Sequence, residues 1–258
     1  MKLSEFDKWA RSFLEIDQLR QIDDSLNGIQ IACSASKPIQ KMAVAVDACA
    51  ESIRRAHNVG ADLLFVHHGL FWGKPEPIIG SLRERLKILI DSDMALYACH
   101  LPLDKHSEVG NNARLADLLE LKDRKPFGIY HGICIGWSGV LPKPAKLDKI
   151  IAKILPDGSA AKSVIAAGPK EINTVAIVSG GAPFESLEAI REGIDLYITG
   201  EPSHSIYHYL CLLYTSDAAD DLLCVDLGGR RILKKTKIYT EVITLKYTRQ
   251  MHKLTLRL

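Results

Sequence analysis

The stretch from Asp62 to Trp72 constrains the fold most. An apolar run, Leu63-Leu64-Phe65-Val66, stops at His67-His68-Gly69 and resumes as Leu70-Phe71-Trp72. A short, continuously apolar run reads as a strand buried on both faces, the pattern of a parallel sheet covered by helices. Two histidines at its carboxyl end then stand at the edge where open α/β sheets place ligands.

The flanking sequence supports this reading. Lys41–Val46 is a β-branched strand, followed by a helix over Ala48–Asn58 with Asp47 as its cap and Gly60 as its stop. With Asp62–Val66 this makes a βαβ unit. The pattern continues with an amphipathic segment over Leu82–Ile90 and a strand over Met94–Cys99 that runs into His100-Leu101-Pro102-Leu103-Asp104. Upstream, Leu3–Leu14 has helical spacing with Phe6, Trp9, Phe13 and Leu14 on one side, and Asp24–Ile31 reads as a turn feeding a short strand. Downstream, Asn111-Asn112 opens a helix to about Leu119.

Lys122–Gly128, rich in Lys, Pro and Gly, reads as a domain junction. Beyond it, strands are expected over Gly132–Leu141, Thr174–Val178 and Asp195–Ile198, with helices over Leu147–Ile154 and Phe184–Arg191. The expected fold is therefore α/β: two α/β domains built from βαβ units with mixed, largely parallel sheets. The boundaries are 1–125 for a metal-binding domain, 126–210 for a second domain and 211–258 for a tail of different character.

Composition excludes some functions. The 258 residues are 47% hydrophobic and 25% charged, with a formal net charge of +2, ordinary for a globular protein. Nine of the 33 basic and five of the 31 acidic residues follow Leu210, so the first 210 residues carry a net charge of −2. The slight basicity belongs to the tail, and no nucleic-acid partner is read from it. The N-terminus has no apolar signal-peptide core and no run is long enough to span a membrane. The six cysteines form no C-x-x-C pair, and most lie in apolar runs, which fits reduced core thiols in a cytoplasmic protein. Trp9 and Trp137 read as core, and Trp72 as packing over the histidines.

The chemistry lies in His67, His68 and Asp104. Neutral imidazole suits zinc, iron, nickel and manganese, and a carboxylate supplies the hard oxygen these ions also accept. Neighbouring strand residues point to opposite faces. His67 and His68 therefore share one ion only if the backbone turns, for which Gly69 gives freedom; otherwise each serves its own ion. Without a metal, the same residues read as a strand-end pair satisfied by backbone groups and a turn aspartate. His100 and His106 read as supporting or surface residues. Ser179-Gly180-Gly181, before a helix, could receive an anion on free amides. Glu201 and His204, after the last strand, could line a pocket or cap a helix.

Leu64–Trp72 (LFVHHGLFW) and His100–Asp104 (HLPLD), with Gly110-Asn111-Asn112-Ala113 behind them, resemble the GTP cyclohydrolase 1 type 2 homologues. These are dinuclear-metal hexamers related to the NGG-interacting factor. Asn27-Gly28-Ile29-Gln30, Ser179-Gly180-Gly181 and Ile198-Thr199-Gly200-Glu201 fall in the family's order, so the resemblance covers about Met1 to Tyr209. It implies a ring-shaped hexamer with an internal cavity, two divalent ions, and His67, His68 and Asp104 as ligands with one histidine on each ion. A nucleotide-like small molecule is the implied substrate. Two ions about 3.5–4 Å apart suit hydrolysis, because together they activate water and polarise the bond it attacks. A non-catalytic oligomer whose ring recruits partners is the competing function, and an inactive relic is the third.

The family's late Gly-His-x-x-Thr-Glu motif, whose His and Glu complete the site, does not occur after Leu210. Cys211-Leu212-Leu213-Tyr214-Thr215-Ser216 instead resembles a translated transposase adapter from sequencing libraries, and Cys224–Ile232 fits its distal part. The expectation is a family member fused near Leu210 to translated adapter, with a site that holds metal weakly. Tyr239-Thr240-Glu241 has only a faint likeness to the end of the lost motif, and no Gly-His precedes it.

Overall fold

The computed structural model describes residues 1–165, 168–214 and 241–244. The remainder of the tail expected at 211–258 lies outside the described residues. The described residues fall into two compact units, within Met1–Gly110 and Asn111–Tyr247. Both are α/β, as the alternating sequence pattern predicts.

The first unit contains α1 (Leu3–Phe13), β1 (Gly28–Ile31), β2 (Met42–Asp47), α2 (Ala50–Asn58), β3 (Leu63–His68), α3 (Gly80–Asp91), β4 (Ala95–Ala98) and α4 (Leu101–Lys105). Its sheet runs β1-β4-β3-β2. β2, β3 and β4 are parallel and β1 is antiparallel at one edge. Alternation along β3 and β4 explains why both read as continuously apolar. Leu64, Val66, Leu96 and Ala98 face one core with Ile53 of α2 and Leu82, Leu86 and Leu89 of α3. Leu63, Phe65, Ala95 and Tyr97 face a second core with Phe6, Ala10 and Leu14. Both faces are covered, so the positions from Leu63 to Val66 and from Ala95 to Ala98 are all apolar.

The second unit contains α5 (Asn111–Leu118), β5 (Lys122–Tyr130), β6 (Ile133–Ala145), α6 (Leu147–Ile154), β7 (Ser163–Ile165), β8 (Ile172–Val178), α7 (Ser186–Arg191), β9 (Leu196–Thr199), α8 (His204–Tyr214) and β10 (Glu241–Thr244). Its sheet runs β5-β6-β8-β9-β10-β7. The β8-β9 and β9-β10 pairs are parallel and the others antiparallel. Val175, Ile177, Leu196 and Ile198 pack with α5 and α6. Ala176, Val178 and Tyr197 pack with Ala189, Ile206 and Leu210 on the other face.

Several local expectations are corrected. Lys122–Gly128 is part of edge strand β5, where Pro126 is tolerated because an edge position need not donate to a ladder. Asp47 does not cap α2: it ends β2, and the Cys49 sulfur takes the cap by accepting from the Ser52 amide at 3.4 Å. Trp9 is 42% exposed and stacks on Phe13 at the surface instead of entering the core. Pro102 sits in the first turn of short helix α4, a position that needs no amide donor. Among the described cysteines, Cys33 and Cys99 are buried free thiols, but Cys49 is exposed.

Candidate metal centre

The strand ends of β3 and β4 are adjacent because the strands pair in parallel, Val66 opposite Ala98. His67 and His68 complete β3, and His100 stands two residues beyond the last residue of β4, after Cys99. Their ring nitrogens form a group whose ligand atoms all lie within 4.8 Å of one another. Ring centroids are 4.5 Å apart for His67 and His68, 5.0 Å for His67 and His100, and 5.6 Å for His68 and His100.

The two adjacent histidines converge because the strand ends there. Gly69 matters for space rather than for a left-handed conformation: a Cβ at this position would lie 2.4 Å from the Gln30 side-chain amide. Gln30 Oε1 accepts from the Leu70 amide at 2.6 Å and the Phe71 amide at 3.3 Å. The chain after His68 is thus folded over Gln30. Trp72 closes this side as expected. Its ring meets His100 edge-on at 4.9 Å, and its indole nitrogen donates to the Gly69 carbonyl.

Each imidazole is oriented through Nδ1. His67 Nδ1 lies 3.0 Å from the Cys99 carbonyl, His68 Nδ1 2.7 Å from Asp47 Oδ1, and His100 Nδ1 2.8 Å from Asp23 Oδ1. These acceptors place the proton on Nδ1 and direct Nε2 to a ligand, the arrangement that orients metal-binding histidines generally. Asp104, buried in α4, brings Oδ2 to 3.5 Å from His67 Nε2. Burial lowers the His67 pKa, and the neighbouring His68 and His100 act in the same direction, outweighing the opposing pull of Asp104. His67 is therefore neutral at neutral pH, the ligand-competent form. Three imidazoles and one carboxylate suit zinc, iron, manganese or nickel.

The model of the Duf34/NIF3 (NGG1p interacting factor 3) family matches residues 1–215. The chain belongs to the Duf34/NIF3 family. A relative from Archaeoglobus fulgidus, named GTP cyclohydrolase 1 type 2 homolog, is 41% identical over 208 residues, covering 81% of each chain. Its namesake from Treponema pallidum is 37% identical over 81% of this chain and 84% of its own. The crystal structure of TTHA1606 from Thermus thermophilus is 32% identical, with a TM-score of 0.75, over 96% of this chain and 87% of that one.

The structure gathers His67, His68 and Asp104 at one sheet edge. Sequence reading gave His100 a supporting place, whereas its ring is in the histidine group. The available signal was its position at the end of β4, the strand beside β3. His106 is structural: its Nε2 meets the Phe13 carbonyl at 2.7 Å and its Nδ1 accepts the Glu108 and Val109 amides. In the second unit, Asn112 and the Gly180 and Gly200 backbones tie neighbouring segments together. Asn112 donates to the Ile135 carbonyl and accepts the Ser179 amide, and the Gly180 carbonyl accepts from the Gly200 amide. The Ser179 amide read as an anion donor is thus already engaged. Glu201 and His204 are exposed.

Proposed function

We propose that this Duf34/NIF3 chain carries a divalent-metal centre on His67, His68 and Asp104, with His100 beside them, and that the centre belongs to a metal-dependent hydrolase. The observation that carries the reading is the convergence of three imidazoles, each fixed at Nδ1, with ligand atoms within 4.8 Å. The relatives' name, GTP cyclohydrolase 1 type 2 homolog, directs the substrate proposal to nucleotides or related heterocycles. Divalent ions there would supply Lewis-acid activation of water and of the bond attacked. The protein's part is to hold donors in place. His67 remains neutral through burial, Asp104 supplies negative charge beside it, and Trp72 covers the His100 ring.

The full centre of the family type is dinuclear, one histidine to each ion, in a cytoplasmic hexamer. In this chain the family's late Gly-His-x-x-Thr-Glu motif does not occur after Leu210, so the site lacks the donors that motif would bring and holds metal weakly. Among the described residues no helix is long and apolar enough to cross a membrane. The test uses this chain and a version ending in the family's late motif. Zinc uptake is measured by calorimetry, and GTP hydrolysis by chromatography with and without chelator. Chelator-sensitive turnover confined to the version with the motif supports the reading. Tight zinc binding without turnover favours the non-catalytic scaffold, and no zinc binding by either version overturns the metal centre.

A further inference from the structure

The turn Asp23–Gln30 contains a landmark that the proposed ligand set leaves unused. It contacts both strand ends that carry the histidines. Gln30 holds the backbone after His68, as described above. Asp23 and Asn27 hold the segment after β4.

Asp23 is a buried charged group, its side chain 1% exposed. Such a group must be fully hydrogen-bonded to persist. Its Oδ1 accepts from the Ser25 amide at 3.0 Å and meets His100 Nδ1 at 2.8 Å. Its Oδ2 accepts from the Asn27 side-chain amide at 2.7 Å and the Leu101 amide at 3.0 Å. Asn27 Oδ1 accepts the His100 amide at 2.8 Å. His100 is therefore gripped at its ring, at its own peptide nitrogen and at the next one. The Leu101 contact also fixes the first residue of α4, which carries Asp104.

Resting on the proposed metal centre, we infer that Asp23 is a positioning residue that fixes His100 in the tautomer whose unprotonated Nε2 faces His67 and His68, making His100 a donor to a divalent ion. An ionised carboxylate can only accept, so Nδ1 must carry the proton. Asparagine cannot reproduce this. Oδ2 takes two amide donors, from Asn27 and Leu101, whereas Oδ1 takes one, from Ser25, beside the imidazole, so an asparagine at this position keeps its single carbonyl on the Oδ2 side and gives up the Ser25 bond. Its NH2 group then points at His100 and forces Nδ1 to accept, which moves the ring proton to Nε2.

Asp47 provides an internal comparison. It approaches His68 Nδ1 at a similar distance, 2.7 Å, but its side chain is 63% exposed. Water can replace that contact, whereas nothing replaces Asp23 in its buried place.

The experiment uses the full chain, with isotope-labelled imidazole nitrogens, in its metal-free form. His100 is assigned by its loss in His100→Gln. The inference expects an Nδ1-protonated tautomer for His100 in the parent and an Nε2-protonated one in Asp23→Asn. Cobalt(II) titrations followed by visible absorption should show roughly 10–100-fold weaker binding in Asp23→Asn and a change within about threefold in Asp47→Asn, where an exposed charge contact contributes little. An Nε2-protonated His100 in the parent overturns the inference, as does cobalt affinity unchanged by Asp23→Asn. The parent tautomer decides the matter even if Asp23→Asn does not fold. A parent that shows the expected tautomer but takes up no cobalt overturns the metal centre and leaves the Asp23 contact intact.

Discussion

The rings of His67 and His68, adjacent in sequence, lie 4.5 Å apart at the end of β3. On a continuing strand they would face opposite sides of the sheet. The strand ends at His68 and the chain folds over Gln30, so the rings converge, with ligand atoms within 4.8 Å of one another.

Gly69 allows that fold. Gly69→Ala would drive a Cβ to 2.4 Å from the Gln30 amide, displacing the group that accepts the Leu70 and Phe71 amides. The expected result is a loss of about 1–3 kcal/mol in urea unfolding together with weakened cobalt uptake. Unchanged uptake would show that the turn is not set by Gln30.

Metal-free protein should lose stability on mild acidification. Burial depresses the His67 pKa below its ordinary 6.5. The unfolded chain then binds the proton more readily than the folded one, so stability is full above about pH 6.5 and falls as pH drops toward the folded value. The slope from one such group is at most about 1.4 kcal/mol per pH unit. Asp23 acts lower. Burial alone would raise its pKa, but hydrogen bonds from His100 and Asn27 outweigh this and hold it below the usual carboxylate range. Its contribution is present above about pH 3.8 and is lost only as pH falls through the folded value. Urea midpoints against pH, in chelator, should show the first slope in the parent and not in His67→Gln; equal slopes would contradict the assignment.

Cys49 should be the most reactive of Cys33, Cys49, Cys99 and Cys134. It is exposed, and although partial burial pulls the other way, hydrogen bonds from Ser52 lower its pKa. Burial raises Cys33, Cys99 and Cys134. Limited alkylation with iodoacetamide, followed by peptide mass mapping, should therefore label Cys49 before these three. Preferential labelling of Cys99 would mean that the β4 end is open.

In the second unit, Gly136→Ala should be severe. An added Cβ would stand 2.2 Å from the Ile177 carbonyl oxygen and 2.7 Å from a Val178 methyl, between paired strands β6 and β8. Overpacking of this kind costs about 1–3 kcal/mol or more. A thermal midpoint within a degree or two of the parent would contradict the pairing.

Much of this was readable in the sequence where local pattern and tertiary role agree. The apolar runs of β3 and β4 are buried on both faces, so they announced themselves, and with them the edge bearing His67, His68 and Asp104. What was hidden depends on contacts distant in sequence. Asp23 looks like a turn residue until the fold brings His100 against it, 77 residues away. Asp47 looks like a helix cap, because only the pairing of β2 with β3 places it opposite His68. Lys122–Gly128 looks like a junction because Pro126 and Gly128 are strand breakers except at an edge.

The central claim is that the edge of the first sheet is a divalent-metal site. Cobalt(II) titration of the full chain, compared with His67→Ala and His100→Ala, tests it most directly. The account predicts visible-region absorption that saturates only at weak, roughly micromolar or poorer affinity, and that disappears in His67→Ala and weakens markedly in His100→Ala. Two tightly held ions per chain would contradict the incomplete site, and no uptake, or uptake untouched by either substitution, would contradict the site itself.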